Sequence, residues 1–501
     1  MSRILFPPIP EFVLNTRRIG VVTTLFPSAP QTCYPSSTMR LLIAAALLAA
    51  TAAHAQLTPD TKAKINAIAE KVVHETGVPS ASIGIVVDGK IAYTRAFGFA
   101  RLQPSVPATA QIAYPIGSIS KQFTATAVLL LQQEGKLKLS DPVSRFFPEL
   151  TRANDVTLLN LLTMTSGYQD YAPQDYTIPA WKLPGDPLKT VRQFATKPLD
   201  FEPGTEWQYS NTNFVIAALI VEKVSGIPFA KFLHDRVLAP AGLQNVLNLN
   251  TDQSKLQLAG YMRNALAPLR PAVLEAPGWY MGDGDLAMPV GSLLQWDLTI
   301  INKTLLTQQS YRAFETPYLL QDGRNPQYGL GISVLMDKGH RILEHSGEVG
   351  GFVAENIVLP DEHIAVAVLT NQEASDAAGD IAREILPVLF ALPKPPSAAP
   401  EDTFGPRLQT ILAGLQKGKI DRSLFTPDCN DYFSADALAD FQSSLGSLGA
   451  VSSVKAVRSR LRGGMKFTRY ETAFTGGTSV VVSVYLMPDG KVEQLLIEGK
   501  V

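Results

Sequence analysis

Apolar residues return at helical spacing through "TKAKINAIAEKVVHETG" and stop at Gly77, which predicts a helix with a glycine end. Two strand-like runs follow in "SIGIVVDGKIAYTRAFGFA", joined by Asp88-Gly89, a hairpin signal. Beyond them "SKQFTATAVLLLQQ" is helical, "VTLLNLLTMTSGY" is a short helix that stops at Gly167, and "FVIAALIVEKVSG" is an apolar helix. Strands and turns alternate again in "YGLGISVL" and in "HSGEVGGFVAENIVLPDEHIAVAVLTN". With strands at both ends of this segment and helices between, the pattern predicts an α+β fold: an antiparallel sheet built from both ends, flanked by helices, with a helical subdomain.

The stretch "LPKPPSAAPEDTFGP" is Pro-rich and reads as a linker, placed at 393–402. After it come helical patterns near Arg407 to Gln416 and Ala435 to Ser444, then strands in "FTRYETAFTGGTSVVVSVYLMPDGKVEQLLIE". That is a small α+β module over 403–501, of ordinary domain size and without a reactive constellation, read as an accessory or docking domain. Near the other end, "MRLLIAAALLAATAAHAQ" joins one Arg to an apolar stretch and an Ala53-His54-Ala55 cleavage pattern. It predicts a signal peptide over 39–55, with 1–38 a spurious extension and the exported, periplasmic or secreted protein beginning at Gln56. The apolar stretch is too short to predict a stable membrane span.

The chemistry starts from a lysine placed among leucines. Ser118 and Lys121 lie three residues apart behind Gly117, so on a helix they share a face. A lysine held there loses hydration, which disfavours its charged form, and the pair reads as a nucleophile with its base. The same spacing recurs at Ser452 and Lys455, but that copy sits between a Gly-Ser-rich turn and a strand pattern rather than at the head of an apolar helix. Two tripeptides add to the first copy. Tyr209-Ser210-Asn211 precedes an apolar helix, and in an extended segment its first and third side chains point the same way. His345-Ser346-Gly347 opens a strand-rich stretch in which glycine permits close approach of a substrate backbone.

Together these motifs resemble the serine β-lactamase and penicillin-binding-protein superfamily, in the class C β-lactamase-related branch with its esterases, DD-peptidases and D-aminopeptidases. Tyr209-Ser210-Asn211 stands where other branches have Ser-Asp-Asn, and His345-Ser346-Gly347 where they have Lys-Thr-Gly. "LLTMTSGY" is similar to a family Leu-Leu-Thr-His-Thr-Ser-Gly, with Met164 in place of the His. The resemblance spans about residues 60 to 392, so the hydrolase domain is placed at 56–392. It implies that Ser118 attacks an acyl carbon and forms an acyl-enzyme while Lys121 and Tyr209 move its proton. It also implies an oxyanion hole from the backbone N–H groups of Ser118 and Glu348, and a substrate held by Asn211, His345, Ser346 and Gly347. Between Lys121 and Tyr209 the resemblance leaves the general base open. A lysine at position 345 would be a permanent cation for a substrate carboxylate, whereas a histidine of ordinary pKa is a tunable one. That favours esters or small D-amino-acid peptides over penicillins.

Composition narrows the alternatives. The chain has 501 residues, 46% of them hydrophobic, with a net charge of -1 and no basic tract, which gives no footprint for nucleic acid. Of two cysteines, Cys33 lies in the segment expected to be lost, leaving Cys429 without an intramolecular partner. No Cys-x-x-Cys or His-Glu-x-x-His run occurs, so neither a metal nor a cofactor is implied. The absence of Gly-x-Ser-x-Gly removes the nucleophile elbow. A true β-lactamase, a non-catalytic penicillin- or peptidoglycan-binding sensor, and a triad of Ser118, His345 and an Asp stay open as alternatives.

Overall fold

Helix α1 (Pro59–Thr76) begins where the sequence supplies a cap: the Thr61 N–H donates to the Thr58 hydroxyl at 3.1 Å, and Pro59 follows. It ends on Gly77 at φ +71°. The computed structural model describes residues 57–337, 339–390, 402–462 and 464–500; the expected signal peptide and N-terminal extension lie outside the described residues, as does the linker apart from Asp402. Strands β1 (Ser80–Val87) and β2 (Lys90–Arg101) form the expected hairpin, with Asp88 and Gly89 both at positive φ, the backbone that a tight two-residue turn requires. Helix α2 (Lys121–Gln133) starts three residues after Ser118, which lies in a preceding 3-10 turn over Gly117–Ser120. Helix α3 (Asn211–Ser225) and helix α4 (Val290–Ile301) follow.

Four late strands then join the first two. They are β3 (Ser333–Asp337), β4 (His340–Val349), β5 (Phe352–Leu359) and β6 (Ile364–Thr370), after which helix α5 (Ala377–Leu389) returns across the sheet. The strand order is Val106–Pro107, β2, β1, β6, β5, β4, β3, so β1 pairs antiparallel with β6 and the sheet is built from both ends of the segment. Alternation along β1 sets its two faces. Ala81, Ile83 and Ile85 pack with Val366 and Val368 beneath α1 and α5, while Val86 joins Leu293 and Leu294 of α4 on the other side. Gly84 faces α4, where a Cβ would lie 2.7 Å from Leu294 Cδ1. The second layer thus depends on a missing side chain. Helix α2 is buried almost all round, its Phe123 stacked on Trp296 at 4.2 Å.

The C-terminal module contains helices α6 (Gly405–Leu415) and α7 (Ala435–Leu445) and a four-stranded antiparallel sheet of β7 (Val451–Arg462), β8 (Met465–Phe474), β9 (Ser479–Leu486) and β10 (Val492–Lys500), in that order. Its core of Leu408, Leu412, Phe441, Val482 and Leu495 also takes in Ala265 from the preceding region. Arg270 and Asn264 donate to Asp440 at 2.8 and 2.9 Å, and Arg469 pairs with Asp376. The module is therefore packed directly on the first region. Among the described residues no single helix is long and apolar enough to cross a membrane. Gly84→Val should place a branched side chain against Leu294 and cost about 1–3 kcal/mol. The expected lower thermal midpoint is read by calorimetry, and an unchanged midpoint would contradict this packing of α4.

Candidate active site

Lys121 is the most deeply buried cation of the site, with no exposed surface. Its Nζ donates to Ser118 Oγ at 2.9 Å, Asn211 Oδ1 at 2.8 Å and the Asp283 carbonyl at 2.8 Å. A charge in such a place is tolerable only when each N–H finds an acceptor. The sequence achieves this by entering α2 through a tight 3-10 turn, which sets the Ser118 hydroxyl one turn from the amine. Around it, burial raises the carboxyls of Asp283 to about 7 and Asp285 to about 6, while Lys121 pulls both back down. The Asp283 carboxylate also accepts from the Tyr171 hydroxyl at 2.7 Å.

Tyr209 lies beside this lysine, with the Nζ 5.0 Å from its ring centre, and its buried hydroxyl has no hydrogen-bond partner among the described residues. Ser210 ends the extended segment and α3 starts at Asn211. Met164, at φ +60° and fully buried, braces this corner: its sulfur accepts from the Ser210 N–H at 3.4 Å and from the Asn213 amide at 3.6 Å. The residue that replaces the expected histidine thus acts through packing.

The opposite wall is the end of β4. Gly347 and Glu348 lie against Gly117 and Ser118 so closely that a Cβ on Gly347 would be 1.9 Å from the Ile116 carbonyl and 3.0 Å from the Ser118 nitrogen. Likewise a Cβ on Gly117, itself at φ +49°, would be 2.5 Å from the Glu348 nitrogen. The two glycines bring the backbone nitrogens of Ser118 and Glu348 together, as an oxyanion hole needs. Ser346 is exposed on the strand, and His345 points the other way.

One expectation is corrected here. His345 is not a tunable cation: burial, with Lys121 nearby, pushes its pKa down to about 3. Its Nδ1 donates to the Ser346 carbonyl at 2.5 Å, and in the neutral ring its Nε2 accepts from the Tyr328 hydroxyl at 3.1 Å. Asn211 is fixed within the protein. Its amide nitrogen donates to the Ala172 carbonyl at 3.0 Å and to Asp170 at 3.3 Å, and its oxygen accepts from Lys121, with its second lone pair left over. The second serine–lysine pair, Ser452 and Lys455, lies exposed on β7 rather than at the head of a buried helix.

The family model for Beta-lactamase matches residues 65–389, the segment that holds every group named above except those of the C-terminal module. The chain belongs to the beta-lactamase family. Within that family it is similar to a penicillin-binding protein of Bacillus subtilis (strain 168), at 25% identity over 81% of this chain and 92% of that one. It is also similar to a D-aminopeptidase of Brucella anthropi, at 25% identity over 63% of this chain and 60% of that one, so it spans about three-fifths of the D-aminopeptidase's length. Among solved structures it resembles a D-stereospecific amidohydrolase from Streptomyces sp., with a TM-score of 0.56, 26% identity, and coverage of 66% of this chain and 98% of that one. The octameric penicillin-binding protein homologue from Pyrococcus abyssi shares the fold at a TM-score of 0.59 and 22% identity, over 87% of this chain and 98% of that one. With the family's serine–lysine pair in contact, the protein is a serine hydrolase.

Arg462, which no sequence motif singles out, reaches this family site from the C-terminal module: its Nη1 donates to Asp175 at 2.6 Å and its Nη2 to the Ala172 carbonyl at 3.4 Å. Its only signal in the sequence is the "RLRGG" turn between two strands.

The low His345 pKa has a sign that can be checked. Below the ordinary histidine value the unfolded chain takes up a proton that the native state refuses, so this residue makes stability fall as pH drops from about 6.5 toward about 3. The buried carboxyls act in the opposite direction and are common to both proteins, so the difference between wild type and His345→Gln isolates the effect. Urea midpoints should show the variant losing less stability than wild type across that window, and parallel curves would contradict it.

Proposed function

We propose that this protein is an exported serine hydrolase that works through an acyl-enzyme on Ser118 and acts on small amides or esters, of the D-amino-acid type, rather than on penicillins. One observation carries the reading: Lys121 is buried without exposure, bonded at 2.9 Å to Ser118, while the position of the family's usual second lysine holds a histidine with a pKa near 3. Two of the lysine's three contacts, Asn211 Oδ1 and the Asp283 carbonyl, can only accept. Once it has given up one proton, the amine can keep its two remaining N–H groups on them and turn its lone pair to the Ser118 hydroxyl, the geometry of a base.

In the proposed cycle Ser118 Oγ bonds to the acyl carbon as its proton passes to Lys121. The oxygen that becomes negative lies toward the Ser118 and Glu348 N–H groups. The C–N or C–O bond then breaks, and the leaving nitrogen or oxygen takes the proton by way of the unpaired Tyr209 hydroxyl. Water attacks the acyl-enzyme by the same path in reverse and releases Ser118. The neutral His345 offers no charge for the carboxylate of a penicillin, which separates this reading from a true β-lactamase. The likeness to a D-aminopeptidase and a D-stereospecific amidohydrolase supports the substrate class. The apolar leader ending in Ala53-His54-Ala55 supports export.

The test is intact-mass analysis after exposure to a fluorophosphonate, a penicillin and a D-alanine ester, with peptide mapping. Ser118→Ala should abolish labelling and Ser452→Ala should leave it unchanged. Turnover of the D-alanine ester should exceed that of a chromogenic cephalosporin by at least about a hundredfold in kcat/KM. Labelling that survives in Ser118→Ala would overturn the mechanism, and faster turnover of the cephalosporin would overturn the substrate class.

A further inference from the structure

The hairpin of β7 and β8 ends on the catalytic tyrosine. The backbone of Arg462 forms a parallel bridge with that of Tyr209, and the guanidinium carbon lies 5.4 Å from the centre of the Tyr209 ring. Lys121 Nζ is 5.0 Å from the same centre, so two cations from different parts of the fold flank one phenol. Arg462 stays charged there. Burial works against it, but the Tyr485 hydroxyl, Asp175, Asp170 and Tyr209 together hold its pKa well above the ordinary value. His345, whose ring lies 6.1 Å from that of Tyr209, is neutral and adds no charge.

Beyond the ring, Arg462 grips the loop that holds Asn211. Its Nη1 donates to Asp175 at 2.6 Å and to Tyr485 Oη at 2.9 Å, and its Nη2 reaches the Ala172 carbonyl that also accepts from Asn211. Its Nε lies 3.9 Å from Asp170, the other acceptor for the Asn211 amide. Two further bonds from β10 fasten the same loop. The Asp175 N–H donates to Gln494 at 2.7 Å, and the Tyr176 hydroxyl donates to the Glu493 carbonyl at 3.0 Å. The chain of contacts therefore runs from the module through Ala172 and Asp170 to Asn211, and from Asn211 to Lys121.

We propose that Arg462 is a positioning residue of the active site, supplied by the C-terminal module, which fixes Tyr209 and the Asp170–Asp175 loop and places a second cation beside the phenol. A cation over an aromatic ring is stabilising when both are withdrawn from water, so the guanidinium helps to hold the phenol in place. The module is then part of the catalytic unit. The inference rests on Ser118 being the nucleophile, and the experiment separates the two.

The readout is the rate at which a fluorophosphonate labels Ser118 in the full chain, followed by intact mass, because it needs no knowledge of the natural substrate. Arg462→Ala should label at least about tenfold more slowly than wild type, whereas Arg462→Lys, which keeps a cation over the ring, should return to within about threefold. Arg469→Ala cuts the pair with Asp376 elsewhere in the same interface and should label at the wild-type rate. Where the Ala variant fails to fold, Arg462→Gln, polar but uncharged, should label as slowly as predicted for Ala. Wild-type rates in Arg462→Ala or Arg462→Gln, no recovery in Arg462→Lys, or an equal loss in Arg469→Ala would each overturn the proposal while leaving Ser118 as nucleophile. A wild type that does not label at Ser118 would overturn both.

Discussion

The site depends on one constraint: a lysine amine buried without exposure must have all its hydrogens accepted. Lys121 meets it with a serine, an asparagine side chain and a main-chain carbonyl drawn from three separated stretches of the chain. Each acceptor must in turn be fixed. Asn211 is fixed by Asp170 and Ala172, and Ser118 by the turn that Gly117 allows at φ +49°. The Asp283 carbonyl is steadied by the Tyr171 bond to its own side chain. Removing any acceptor would leave a buried donor unpaired, so these loops are tied to the geometry of a single nitrogen. The same demand explains why a buried charge coexists with a close-packed apolar helix, since α2 carries its lysine at the first position and its leucines after it.

How much of this is legible in the sequence depends on the range of the contact. The α1 stop at Gly77, the Asp88-Gly89 hairpin and the pairing of Ser118 with Lys121 are local, and spacing alone predicts them. The helix expected through "VTLLNLLTMTSGY" is reduced to Leu158–Leu162, because Met164 turns to positive φ in order to brace Ser210 and Asn213. No periodicity encodes that tertiary demand. The sequence singles out His345 but not its charge state, which comes from burial and from Lys121 nearby. Arg462 was legible only as part of a turn and not as a neighbour of Tyr209, since its partners Asp175 and Ala172 lie 287 and 290 residues away along the chain.

A neutral histidine and an imported arginine redistribute charge within a familiar scaffold. The strand that carries His345 offers close backbone approach but no cation, while the positive charge beside Tyr209 comes from the C-terminal module and is paired with Asp175. The groups around Tyr209 thereby come from two cores, one around the sheet of β1 and β6 and one around the four-stranded sheet. Ala265 and Asn264, which pack into and bond the second core, belong to the segment that lies between the serine–lysine pair and β4. The two cores share a boundary at the site rather than at its periphery.

The central claim is that buried Lys121 makes Ser118 reactive, and replacing it with an apolar residue of similar length tests this most directly. In folded Lys121→Met the bimolecular rate of fluorophosphonate labelling at Ser118 should fall by at least about a hundredfold, the lower end of what general-base assistance contributes. If Lys121→Met labels Ser118 at the wild-type rate, the lysine is a packing residue and the account of the site is wrong.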